Sequence, residues 1–450
     1  MHKKLLILEL NEFDINFFFY GAKKYNFPSI KEFFKDKKKL NTFTNDKEEG
    51  FNLDPWVQWV SIHTGKSSKK HKIFRLGQSV DKKIKQIWEI LSKDRIRSTI
   101  WGLFNSSLRL KKNIDLFFPD PWSFRESAYP EKFNSFLKLP RYYAQNYPKI
   151  NKFKTIYYGT IFLIKILFSN LFLFLLKNFH HFLKIFILSG LKSFNLYFLL
   201  DLLSLLIIKN NLKKKQSDLT IIAMNSFAHY QHNYWDEKKY DYVYFWYLNK
   251  MINIIKEIEK DYNSVILLNG FSQKKIKNEY HLRPKKPVSF FQKLNIKFSK
   301  IEPDMTSGAI VSFKSLKDKI NAINKLKDIK IYTYPFFEIQ DFIGEKRFFY
   351  KLSLVSMNNS YSKKFLKKNN YKKIFKKPKK VLKIKNLNNE DKQFLDFILN
   401  NTEFIKSTSR HISDGVLFYK NFDFFKKNIS KKKIKNTEIF KAILRHFNIN

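Results

Sequence analysis

Short apolar runs ending in polar turns recur along this chain of 450 residues. Residues 5–8 form the first, a compact run of the kind that makes a strand covered on both faces. Residues 97–103, 219–224 and 264–268 repeat the pattern, and 309–313 and 330–334 have strand composition. Helical spacing separates them. Pro28-Ser29 opens a stretch where Ile30, Phe33 and Phe34 share one face, residues 242–259 alternate with helical period, and 439–447 reads as a short basic helix. Residues 115–122 read as a Pro-Asp-Pro loop. Strands alternating with helices make the class α/β.

Between residues 155 and 208 the character changes. Segments 156–176, 179–191 and 194–208 are dense in Phe, Leu and Ile, interrupted by Lys165, Asn170, His180, His181, Lys184, Lys192 and Asp201. No run reaches the roughly 18 uninterrupted apolar residues of a membrane span. Two readings stay open: a helical insertion packed on the main domain or on a second subunit, and a hairpin in or on a membrane, its lysines reaching the headgroups. Residues 363–385 form a lysine-rich tract of poor periodicity.

Composition narrows the class. At 44% hydrophobic and 18% aromatic residues, a mainly disordered chain is excluded. Eighty-six basic against 39 acidic residues give +47, which points to a polyanionic partner, nucleic acid or anionic lipid. Lysine dominates, alongside abundant Asn, Ile, Phe and Tyr, as AT-rich coding imposes, so a solvated lysine surface is the competing account and nucleic acid the lesser one. No cysteine is present, which excludes disulfide and thiolate chemistry and fits a reducing compartment. The apolar run after Met1 is four residues, short for a signal peptide. The expected location is therefore the cytoplasm, with membrane association through the insertion as the alternative.

Chemistry concentrates at four strand ends: Glu9-Leu-Asn11-Glu12, residues 54–65, Asn225-Ser-Phe-Ala-His229 and His411-Ile-Ser-Asp414-Gly415. Open α/β sheets place their sites at such ends. In order and spacing, these segments resemble the alkaline phosphatase superfamily, most closely its type I phosphodiesterase/nucleotide pyrophosphatase branch. Asn11 stands at the family's first metal-binding Asp. Pro28-Ser-Ile-Lys-Glu-Phe33 resembles its Pro-Asn-Leu helix start, and Thr64-Gly65 with His71-Lys-Ile73 its Thr-Gly turn and His-Gly-Ile. Asn225 and His229 match an Asp-x-x-x-His ligand pair, Asn269-Gly270 an Asp-His pair, and His411 the terminal His-x-x-Glu-Gly.

The resemblance implies a three-layer αβα sandwich with a mostly parallel central sheet, interrupted by the hydrophobic insertion. Its parts are core at 1–150, insertion at 151–215, core again at 216–345, a lysine-rich segment at 346–400, and a final strand with a basic tail at 401–450. It also implies a two-metal esterase acting on a phosphate-containing small molecule, nucleotide, glycan or lipid-linked substrate. The chain departs from that pattern where the chemistry is done. Pro55 occupies the nucleophile position, and Asn replaces Asp at 11, 225 and 269. Neutral amides do not balance a divalent charge, so a second ion is not expected, while Asn225, His229 and His411 could hold one zinc-like ion. Asn11 and Asn269 are the residual candidates at the second position.

Asp54, Glu12 and Thr64 are the catalytic candidates; Asp54 and Glu12, with Glu9, could supply the missing anion, or could merely open helices. Trp56, Gln58 and Trp59 could line a sugar or nucleotide pocket, or pack in the core. His63 and His232 are candidates by proximity, and Arg283 and Lys285 could meet a phosphate. A catalytically inactive relative retained as a binding module is the competing reading.

Overall fold

The computed structural model describes residues 3–46, 53–78, 83–146, 151–167, 170–190, 192–303, 308–331, 334–352, 393, 397, 400–427 and 433–449. Most of the lysine-rich segment 346–400 lies outside them. The described residues form two compact units: Met1–Ala144 with Lys152–Lys277 and Thr408–Asn450, and Gln145–Asn151 with Asn278–Ser407.

The first unit is built on an eight-stranded sheet. Its members are β1 (Leu5–Leu10), β2 (Lys38–Phe43), β3 (Ser98–Trp101), β4 (Ile114–Phe118), β5 (Leu219–Met224), β6 (Ser264–Leu268), and the strands Asp414–Lys420 and Lys433–Lys435. They lie in the order Lys433–Lys435, β2, Asp414–Lys420, β6, β1, β5, β3, β4. Of the seven pairings, only the two made by Asp414–Lys420 are antiparallel. The expected α/β class with a mostly parallel sheet is what the chain adopts. β4 takes the start of the segment read as a Pro-Asp-Pro loop. β2, with its Lys-Lys-Leu-Asn-Thr-Phe sequence, carries no apolar run that would have marked it.

β1 shows why the sheet is covered on both sides. Leu6, Leu8 and Leu10 enter a large apolar cluster with Phe18, Phe198, Phe227 and Tyr244 from helices Ile15–Tyr25, Ser193–Lys214, Ser226–Tyr234 and Asp241–Glu259. Glu9 points the other way and meets His63 of the helix Pro55–Thr64. Strand side chains alternate, so opposite neighbours require helices on both faces.

The segment 151–215 divides into Lys152–Leu167, Asn170–Lys177, Phe179–Ser189 and Ser193–Lys214. The last belongs to the core: Phe194, Phe198, Leu202 and Leu205 are fully buried. Asp201, which interrupts the apolar run in sequence, accepts the Asn225 N–H at 3.0 Å and the Ser226 N–H at 2.9 Å. An acid there satisfies donors that every helix start leaves unpaired. Burial pushes its carboxyl up to about 6, with those bonds opposing.

The second unit has a four-stranded antiparallel sheet, in the order Phe337–Asp341, Arg347–Leu352, Ala309–Ser312, Lys300–Pro303. Helix Leu316–Asp328 accompanies it, started by Ser315, whose Oγ accepts from the Asp318 N–H. Arg283 is committed to Glu403 at 2.6 Å, and Lys285 Nζ donates to the Asn400 carbonyl. Neither is held ready for phosphate as expected.

Candidate metal centre

The turn after β1 sets the site. Glu12 adopts φ 55°, a left-handed conformation that a non-glycine side chain enters at a cost of about 1 kcal/mol. Its N–H donates to the Asn269 carbonyl at 3.1 Å, and its carbonyl accepts from Gln231 Nε2 at 2.9 Å. So fixed, the Glu12 carboxylate is buried and lies 2.9 Å from His232 Nε2 and 2.9 Å from His411 Nε2. The two imidazole Nε2 atoms are 3.2 Å apart. Gln273 Nε2 donates to the same carboxylate oxygen.

Both imidazoles are oriented from behind. His411 Nδ1 donates to the Leu53 carbonyl at 2.7 Å; His232 Nδ1 donates to Ser409 Oγ at 3.1 Å, whose own proton goes to Gln273 Oε1. With Nδ1–H spent outward, each Nε2 turns a lone pair toward the Glu12 oxygen. Three acceptors facing one another repel unless a cation sits among them, either a proton or a metal ion. As a proton site, the geometry fixes the charges: burial pulls the His411 imidazole down, but Glu12 beside it more than compensates and holds it at about 9. Burial raises the Glu12 carboxyl, and His411 and His232 outweigh this and hold it well below the usual range.

A divalent ion fits the same three atoms. Bonds of about 2.0–2.1 Å in tetrahedral array place ligand atoms about 3.3 Å apart, within a few tenths of an ångström of the separations here. Two histidines and a glutamate are a donor set of catalytic zinc sites, and the outward Nδ1 bonds are the support such ligands receive. Among the described residues, this is the one His/Asp/Glu group with such convergence.

The helix Pro55–Thr64 completes the frame. Trp59 Nε1 donates to Asn11 Oδ1 at 2.8 Å, and His63 Nε2 donates to Glu9 Oε1 at 2.6 Å. Four helical residues advance about 6 Å and two strand residues about 6.6 Å, so positions i, i+4 of one match i, i+2 of the other. The pairing runs backwards, placing the helix N-terminus at the polar end of β1. Asp54, at the N-cap position, has Oδ1 3.8 Å from His411 Nδ1 and makes no side-chain capping bond.

Several expected roles move. His411 is in the donor group; His232, expected to touch substrate, joins it as a ligand candidate. His229 does not: its ring stacks on Tyr197 at 3.7 Å, and burial pulls it down to about 4. It reaches the group only through Asn225, whose Oδ1 accepts from Asn11 at 2.7 Å. Asn269 is consumed structurally, donating to Phe13 O and Ser272 Oγ and accepting the Val416 N–H. Asn11, bonded to Trp59, Asn225 and Glu12, is likewise spent, and Gly270, φ +71°, lies under the Trp59 ring. These residues do not fit a second ion.

Thr64 bonds back to the Val60 carbonyl at 2.7 Å, about 15 Å along the helix from Asp54, so it is no nucleophile here. Trp56, Gln58 and Trp59 are at most 2% exposed and pack in the interior; Trp56 Nε1 donates to Phe74 O, and Gln58 Nε2 to Asp46 at 2.5 Å. Glu9 and His63 hold each other rather than the site. Glu12 opens no helix: Asp14 does, accepting the Phe17 N–H at 2.6 Å. Gln273 and Ser409 carried no sequence signal.

Solved structures similar to this chain come from the superfamily that its motifs resemble. Murine ectonucleotide pyrophosphatase/phosphodiesterase 5 is 8% identical, with TM-score 0.43, over 100% of this chain and 96% of that one. Phosphonoacetate hydrolase from Sinorhizobium meliloti 1021 is 8% identical, with TM-score 0.40, over 99% and 96%. The TAB5 alkaline phosphatase is 10% identical, with TM-score 0.38, over 100% and 99%. No family model matches the sequence, and no curated protein matches it. At such scores, residue roles rest on this chain's own geometry.

Proposed function

We propose that this protein is a hydrolase of phosphate esters that works with one divalent ion held by Glu12, His232 and His411. The observation that carries the reading is the convergence of three lone-pair donors, supported from behind: Glu12 in the turn after β1, His232 on helix Ser226–Tyr234 after β5, and His411 on strand Thr402–Ile412. An ion there would supply Lewis acidity to a phosphoryl oxygen and to water. With Pro55 offering no hydroxyl, water replaces a protein nucleophile. Asp54, at the helix N-terminus with its Oδ1 3.8 Å from His411 Nδ1, is the candidate base for that water. Glu12, with the Leu53 carbonyl behind His411 and Ser409 Oγ behind His232, fixes both imidazoles. The substrate class is a phosphate-containing small molecule, with nucleotides and phosphate-linked glycans or lipids as the candidates.

The test is hydrolysis of bis(p-nitrophenyl) phosphate and p-nitrophenyl phosphate by chelator-treated protein, before and after adding Zn²⁺, Mn²⁺ or Mg²⁺. Activity that requires the ion and falls about a hundredfold or more in His232→Ala and His411→Ala supports the reading. Turnover indifferent to chelator and to both variants overturns it. Ion binding without turnover favours a binding module, the reading that Pro55 and the three asparagines motivate.

A further inference from the structure

The helices Lys152–Leu167, Asn170–Lys177 and Phe179–Ser189 turn their apolar faces outward. On the first, Phe153, Ile156, Tyr157, Leu163, Ile164 and Leu167 are exposed, Phe153 at 85% and Ile156 at 65%. Their spacing is i, i+3, i+4, i+10, i+11, i+14, a helical-period stripe of the kind by which a helix normally faces a core, broken at i+7 by Thr160. On the third, Phe179, Leu183, Phe186 and Ile187 repeat it, with Ile187 at 74%. Their inward sides are anchored in the core by buried Ile166, Leu171 and Ile185 and by half-buried Phe162, Phe174, Leu175 and Phe182. Large apolar side chains exposed in such number on consecutive helices mark an interaction site.

Charge selects the occupant. From residue 132 to residue 200 the chain has ten Lys and Arg and no Asp or Glu. Lys152, Lys154, Lys165, Lys177 and Lys184 are exposed on the same helices. A second copy of this face would oppose lysines with lysines and no acid between them. Singly, the three helices of 16, 8 and 11 residues fall short of the roughly 20 needed to cross a bilayer; the first two together are long and apolar enough, but an angle of 89° between them rules out one straight span. The one described helix long and apolar enough to span, Ser193–Lys214, is tied into the sheet's core.

We propose that this face docks on anionic membrane surfaces, its apolar stripes entering the headgroup boundary and its lysines pairing with lipid phosphates. Amphipathic helices with basic flanks bind in this way, lying in the interface rather than spanning it. The inference does not depend on the metal centre.

The test is co-sedimentation of the full chain with phosphatidylcholine vesicles, with and without phosphatidylglycerol at roughly three parts in ten. Binding should require the anionic lipid and weaken as salt rises from roughly 0.05 to 0.5 M. It should fall about tenfold or more in the Ile156→Glu, Leu163→Glu, Ile187→Glu triple variant and in Lys152→Glu, Lys154→Glu. All five positions are exposed, and unchanged thermal melts establish that each variant folds. Failure to bind anionic vesicles, or binding that neither variant weakens, overturns the proposal. So does a lipid-free dimer that the triple variant dissolves, since the face would then belong to a second copy.

Discussion

Replacing Glu12 by Gln keeps the shape of the site and removes the one carboxylate among its three donors. In the metal-free protein, Glu12 and His411 are opposite charges 2.9 Å apart. Their gross attraction at an effective dielectric of 20 is about 6 kcal/mol, most of it offset by burying both groups. The net appears in His411, whose rise from 6.5 to about 9 corresponds to about 3 kcal/mol, trimmed by water because the ring is 20% exposed. A raised imidazole stabilises the fold fully below pH 6.5, and that contribution is lost as pH rises through about 9. Glu12, held low, contributes above its ordinary value and loses that contribution as pH falls through its folded one. Chelator-treated wild type should therefore lose about 3 kcal/mol or less between pH 6.5 and 9 in urea titrations. In Glu12→Gln, burial acts on His411 against only Asp54 and the Leu53 carbonyl, so most of the loss between pH 6.5 and 9 should disappear. Calorimetric titration with Zn²⁺ should give one ion per chain in wild type, bound more tightly as pH rises toward 9, because proton and ion compete for one niche. The variant should bind about a hundredfold more weakly or worse. An unchanged pH slope together with unchanged ion affinity in Glu12→Gln would refute the three-donor centre.

Two further outcomes follow from the packing. Asn269→Asp, which superficially restores a family ligand, should not create a second ion site. The carboxylate cannot donate to Phe13 O and Ser272 Oγ, so stability should drop about 2–4 kcal/mol while elemental analysis still finds one ion. Gly21→Ala should destabilise by about 1–3 kcal/mol despite alanine's better helix propensity. The added Cβ would lie 1.9 Å from Cζ of the buried Phe245 ring, and a lowered melting temperature checks it.

Much of the frame was legible in one dimension. The runs at 5–8, 219–224 and 264–268 are strands because buried parallel strands must be apolar on both faces, and that demand is written locally. β2 was not legible, because hydrogen bonding to Asp414–Lys420 and Lys433–Lys435, rather than its own polar sequence, makes it a strand. The site was legible by place but not by role. Glu12, His232 and His411 all sit at strand ends or on the first helix after one, so sequence located the neighbourhood. Which histidine turns inward depended on Tyr197 stacking on His229 and on Leu53 and Ser409 receiving the Nδ1 protons of His411 and His232, contacts separated by up to 358 residues.

Local patterning thus determined the α/β alternation, the strand-end location of the candidate site, and the presence of Asn at 11, 225 and 269, since hydrophobic period and residue identity are properties of short segments. Tertiary structure alone decided that the surviving charge is Glu12, that Asn269 is a brace, and that the apolar helices after residue 151 face outward. Those outcomes depend on which distant side chains share a space, and burial and charge pairing are settled only once the sheet has brought them together.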